Sequence, residues 1–225
     1  MSLKPLKKSD LNKAWMKKKP DRIIKIHPEY HLIVTEGTNT EPAYFGMIKE
    51  IINKKYPQKI QLDVSGEGNN TVHLFERAKK LAEDSSNIYK HVWIVYDTDD
   101  FPAAHVDRVL QLCVENSTEE TEFHAMWSNQ CVELWFLLHF SFMQSDIHRT
   151  EYWSKLTEHL KQIDAGEYEK NRKDMYQTLR PYMECAIANA KRLNALNEGK
   201  LPSKAAPGTK IYELIEILKP YLTEG

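Results

Sequence analysis

Apolar residues in the first 140 positions come in short runs that end on an acid or a small polar residue, and a helical stripe follows each. His31 to Val34 (HLIV) predicts a buried strand, followed at once by Thr35, Glu36 and Gly37. Thr38, Asn39 and Thr40 can cap the helix after it, with Pro42 near its first turn. Tyr44, Phe45, Ile48, Ile51 and Ile52 give that helix one apolar face, and Tyr56-Pro57 closes it. Lys59 to Val64 alternates as a strand with one exposed face would. Ser65 to Thr71 (SGEGNNT) joins it to a helix running to about Ala82, with Val72, Phe75, Ala78, Lys79 and Leu81 on or beside the inner stripe. Val92 to Tyr96 are five consecutive apolar residues, the pattern of a strand buried on both faces of a parallel sheet. A third helix is expected over Ala103 to Asn116, carrying Val106, Val109, Leu110 and Cys113, and a fourth strand over Glu122 to Ser128. Asn129 to Phe140 (NQCVELWFLLHF) is apolar nearly all round and predicts a buried helix.

Beyond Phe142 no strand pattern remains. Helices are expected over Tyr152 to Ile163, Asp174 to Asn197 and Thr209 to Leu222. The middle one carries Met175, Leu179, Tyr182, Met183, Ala186, Ala190, Leu193 and Leu196 at steps of three and four, and Pro181 kinks or divides it. Residues 199–208 read as a loop. The whole predicts an α/β protein: a basic leader over 1–28, a three-layer core with a mainly parallel sheet of about four strands over 29–141, and a helical C-terminal region over 142–225 packed on it.

Composition changes this picture little. With 41% hydrophobic and 28% charged residues, the chain matches a globular protein that buries an ordinary core. No apolar run approaches membrane-spanning length, and the first residues offer Lys and Asp where a signal peptide needs an apolar core. Cys113, Cys131 and Cys185 form no C-x-x-C pair, which fits a reducing cytoplasm and writes no zinc motif. Charge is more informative. Residues 1–25 hold nine basic residues, Lys17, Lys18 and Lys19 among them, against Asp10 and Asp21, a net of +7 on a chain whose total is −1. Such a leader can contact nucleic acid, or serve only as a solubilising tail.

Candidate chemistry gathers where strands end. Asp97, Asp99 and Asp100 follow the most apolar strand, and ligands bind at the carboxyl ends of strands in open α/β sheets. Asp97 and Asp99 would share a side if the strand persisted, with Cα atoms roughly 6–7 Å apart. Two carboxylates brought to about 4 Å repel by roughly 4 kcal/mol at an effective dielectric of about 20. A divalent cation, or protonation of one acid, relieves that; capping of the helix from Ala103 is the alternative use. Ser65, Gly66, Gly68, Asn69, Asn70 and Thr71 can offer backbone N–H groups to a phosphate, or simply cap a helix through Asn70 or Thr71. Glu133 is the one acid in its apolar stretch and needs a partner: a backbone N–H, a base, or a metal facing the Asp cluster. Lys170, Arg172 and Arg180 lie in the helical half, where the sequence does not place them.

Glu36-Gly37 after the first strand and Asp97-x-Asp99 after the third resemble the Toprim pattern. A wider resemblance is to the RloB-like family, known mainly from bacterial defence and restriction-modification loci, often beside a AAA-type ATPase. It is carried by the basic leader, VTEGTNTEPAYF (34–45), SGEGNNT (65–71), VYDTDDF (95–101), SNQCVELWFLLHF (128–140) and PGTKIYELIEIL (207–218). Gln130 departs from it, since family members commonly have Pro there; Gln can still open a helix. The resemblance implies a Toprim/Rossmann-like core with Mg²⁺ or Mn²⁺ held by Glu36, Asp97 and Asp99. Asp100 and Glu133 would be further ligands, and nucleic acid the substrate of a nuclease. Two rivals stand beside it. One is a non-catalytic nucleic-acid-binding or ATPase-adaptor subunit. The other is a haloacid-dehalogenase-like phosphatase with Asp97 as nucleophile and Asp99 as acid, for which the third-strand placement and Phe101 are wrong.

Overall fold

The computed structural model describes residues 27–68, 70–98 and 101–222. Lys17, Lys18, Lys19, Asn69, Asp99 and Asp100 therefore lie outside the described residues. Four parallel strands form one sheet in the order β2-β1-β3-β4: β1 is Glu29–Thr35, β2 Ile60–Gly66, β3 Tyr89–Asp97 and β4 Glu122–Ser128. Helices α1 (Thr40–Lys55), α2 (Thr71–Glu83) and α3 (Ala103–Asn116) connect successive strands. The side-chain period of two sends alternate residues of the central strands to opposite faces, and both faces are covered. Leu32, Val34, Val92, Ile94 and Tyr96 meet Leu74 and Phe75 of α2 and Val106 and Val109 of α3. Ile33, Trp93, Val95 and Met126 meet Tyr44, Phe45, Ile48 and Ile52 of α1. That second cluster runs on without a break into Tyr152, Leu156, Leu179, Leu193 and Ile215, so strand and helix halves share one core.

The helical half comprises α4 (Glu133–Leu137), α5 (Arg149–Gln162), α6 (Met175–Leu179), α7 (Met183–Leu196) and α8 (Ile211–Leu222). Pro181 divides the expected middle helix: a short 3₁₀ turn over Arg180–Tyr182 separates α6 from α7. Within that stretch Ile187 is buried and Leu196 is not. In α2 the buried stripe is Leu74, Phe75 and Ala78, with Val72, Lys79 and Leu81 at its margin.

One expected helix is much shorter than its composition implied. Asn129 to Phe140 is helical only over Glu133–Leu137. Gln130 takes φ 62, a left-handed conformation, and the Cys131 N–H bonds back to the Asn129 carbonyl, so a tight turn precedes the helix. Gln130 therefore sits in the turn and does not open the helix. Past Leu137 the bonds His139 N–H to Phe136 O and Phe140 N–H to Leu137 O span three residues, tightening the last turn. All-round apolarity reported burial here. It said little about winding.

Candidate active site

Thr35 ends β1 opposite Gly66 on one side and Val95 on the other. The connection leaving β1 runs to β2 on one side and the connection leaving β3 runs to β4 on the other, so the two part here and open a crevice at the carboxyl ends of β1 and β3. Glu36 and Asp97 are the residues at those two ends. The Glu36 N–H bonds to the Val95 carbonyl (2.9 Å), and the Asp97 N–H donates to Glu36 Oε2 (3.2 Å). Backbone pairing thus carries both acids, partly exposed, to the rim of a cleft of about 450 Å³.

Two further carboxylates line it, both buried: Glu133 and Glu41. Glu133 starts α4 and accepts a hydrogen bond from the Tyr168 hydroxyl (2.6 Å). Burial, then Glu133, drives that hydroxyl well above its ordinary pKa, so it remains a donor. Glu41 lies in the first turn of α1, 5% exposed. Burial raises its carboxyl above the ordinary value, and Glu133 adds to the rise; backbone N–H groups of Glu41 and Gly37 and the charge of Lys170 oppose it. The Glu41 carboxylate packs directly on Gly37, where any Cβ would collide with it. This contact explains the glycine after Glu36.

Positive charge reaches the cleft from the helical half. Lys170 and Arg149 line it; the Lys170 carbonyl accepts from Thr40 Oγ1 (2.7 Å), and its ammonium lies over the Trp153 ring at 4.7 Å. Cys131 also faces the cleft, but burial, then the charges of Glu133 and Asp97, raises its thiol pKa, which argues against a thiolate nucleophile.

The structure brings together Glu36, Asp97 and Glu133, and adds Gly68 and Asn70 from the SGEGNNT loop. Ser65 and Gly66 continue β2, and Thr71 is buried in the first turn of α2. The N–H groups of Glu67 and Gly68 are spent on the carbonyls of Thr35 and Glu36, and Asn70 caps α2 through the His73 N–H (3.4 Å). Asn70 thus serves as a cap while it and Gly68 line the cleft. Arg172 instead braces the turn before α6 through Asp174 and the Ala165 carbonyl, and Arg180 bonds the Leu222 carbonyl. Sequence reasoning missed Glu41, Arg149 and Tyr168, and named Lys170 without placing it. Glu41 stood in a quoted motif, hidden among capping residues, and the other three become neighbours only through tertiary packing.

A parallel α/β sheet with an acid-lined crevice at its topological switch point defines a class of ligand-binding or catalytic α/β proteins. The chain belongs to the RloB-like protein family, whose model matches residues 31–218. No curated protein matches the chain, and neither does any solved structure.

Proposed function

We propose that the cleft carries out metal-dependent phosphodiester chemistry on nucleic acid, in the bacterial defence setting that the family resemblance implies. Its main support is the placement of Glu36 and Asp97 at the ends of adjacent strands, facing one cleft with Glu133 and Lys170. Carboxylate oxygens are hard donors, and Mg²⁺ is commonly held through one or two of them with water and substrate phosphate completing its shell. Glu36 and Asp97 fit that donor set and would hold the ion, with Asp99, Asp100 and Glu133 as further candidates. Bound there, Mg²⁺ or Mn²⁺ would supply neutralisation of phosphate charge and a water of lowered pKa. Lys170 and Arg149 orient the phosphate backbone. Glu41, its carboxyl raised by burial, is a cleft-lining group suited to give up a proton. The lysines of the leader, the SGEGNNT loop and a AAA-type ATPase complete the expected contacts.

Purified chain incubated with DNA, RNA and tRNA plus Mn²⁺ tests this. Cleavage should occur in the wild type and fall to background in Asp97→Ala; equal activity in both would sink the assignment.

One observation favours the non-catalytic adaptor. Among the described residues, the acids of this cleft do not form a trio close enough to share an ion. Defence retained in cells after Glu36 and Asp99 are both changed to Ala would select that reading. Loss of defence with the fold intact selects catalysis.

A further inference from the structure

At the opposite, amino end of the sheet, five polar side chains stand in adjacent register on one face. His31 lies beside His91, His91 beside Glu122, and Trp93 beside His124. Because Glu122 and His124 are two apart, both point to the side occupied by His91, as Glu29 points to the side of His31. Two overlapping trios result, Glu29–His31–His91 and His91–Glu122–His124.

We infer that His91, Glu122 and His124 form a binding site for a divalent transition metal of the Zn²⁺ type, separate from the acidic cleft. His91 Nδ1 and His124 Nε2 are 2.9 Å apart, and Glu122 Oε2 is 3.5 Å from the first and 3.8 Å from the second. Ligands about 2.0–2.1 Å from a tetrahedral Zn²⁺ stand about 3.3 Å from one another, so the three atoms are spaced within about half an ångström of three corners of such a site, and the ion would replace the hydrogen bond that joins the two rings. Two imidazoles and one carboxylate are a donor set that Zn²⁺ accepts, with the fourth position left for water or substrate. Imidazole nitrogen favours a borderline ion over Mg²⁺.

The surroundings hold the three ligands in place. Lys90 takes the other carboxylate oxygen, Glu122 Oε1 (3.0 Å), leaving Oε2 to face the two imidazoles. The His124 ring stacks on Trp93 at 4.1 Å and 18°, and the His91 ring lies 5.4 Å from the same indole. His31 is the less suited ligand. Its Nδ1 accepts from the Trp93 indole N–H (3.3 Å), which leaves Nε2 as the N–H donating to Glu29 Oε1 (2.8 Å). It packs against His91, ring centres 4.7 Å apart, as a positioning group. The His91, His124 and Glu122 side chains are 14%, 25% and 41% exposed, so an ion can enter from solvent.

The test uses untagged full-length protein stripped with EDTA and titrated with Co²⁺, whose visible spectrum distinguishes tetrahedral from octahedral sites, followed by Zn²⁺ displacement. One equivalent should give a tetrahedral spectrum that Zn²⁺ removes. Glu122→Gln and His124→Gln should each weaken binding by roughly 10–100-fold or more. Asp97→Ala should leave the spectrum as it is, which separates this site from the cleft whatever the cleft's activity. Zn²⁺ should also raise the Tm of the wild type and not of Glu122→Gln, whose half-exposed side chain can be changed without unfolding the sheet. A wild type with no tetrahedral spectrum, or a spectrum undiminished in either variant, overturns the assignment.

Discussion

At the carboxyl end of the sheet the polar groups lie in the connections just past the strands; at the amino end they lie on the strands themselves. Glu36, Glu41 and Glu133 reach their cleft from turns and helix starts, joined by Asp97 at the tip of β3. His31, His91, Glu122 and His124 meet because three strands run in one register, over the indole of Trp93. The first arrangement concentrates acids with two cations at the rim. The second concentrates neutral bases with two carboxylates, Glu29 and Glu122, at its edges. A loop-built site can change by local substitution, whereas a register-built site is tied to the stability of the sheet.

The largest expected effect separates the two ends by activity. Asp97→Ala should reduce Mn²⁺-dependent cleavage to background while the Co²⁺ spectrum of the amino end persists, measured on the same preparation. Stability should be most sensitive at the amino end. Trp93 is 1% exposed, and Trp93→Ala should cost roughly 3–5 kcal/mol in urea unfolding. At the carboxyl end the matching test is Gly37→Ala. Its added methyl displaces the Glu41 carboxylate, for a loss of roughly 1–3 kcal/mol and a matching loss of cleft activity.

The smallest effect is a pair of opposed pH dependences, measured as Tm of metal-free protein. Glu41 is raised by burial, so between about pH 4.5 and its folded pKa the native state holds a proton that the unfolded chain has released. That contribution makes stability fall as pH rises, and Glu41→Gln should remove it. Burial, then the charge of His91, pushes His124 down to about 4. Between pH 6.5 and about 4 the unfolded chain therefore binds a proton that the native state refuses, and stability falls as pH drops. His124→Gln should flatten that acid limb. Identical pH curves for either variant and the wild type would break the contrast.

The same contrast explains what the sequence disclosed. Strands end where buried runs meet acids, so β1, β3, Glu36 and Asp97 could be placed from the chain alone, and α3 and β4 were bounded to the residue. Glu36 and Asp97 are far apart in sequence, yet each is flagged by its own strand end. His31 and His91 carry no such flag. Each opens an otherwise apolar run, and only the β1–β3 register puts the rings 4.7 Å apart. Lys170 and Tyr168 are illegible for a related reason: the turn that carries them is positioned by contacts such as Thr40 to Lys170, which no local pattern encodes. The Asn129–Phe140 stretch failed differently, because an all-apolar segment has no period from which to read its winding.

The Thr40–Lys170 and Tyr168–Glu133 hydrogen bonds tie the segment before α6 to the rim of the acid cleft. The strands hold the acids, but whatever enters also meets Lys170 and Arg149, which belong to the other half of the chain. Substitutions there could therefore alter which ligand is admitted while the acids stay fixed. Divergence among relatives facing different targets would then be written after residue 141, and grafting the strand half alone would carry the acids without their selectivity.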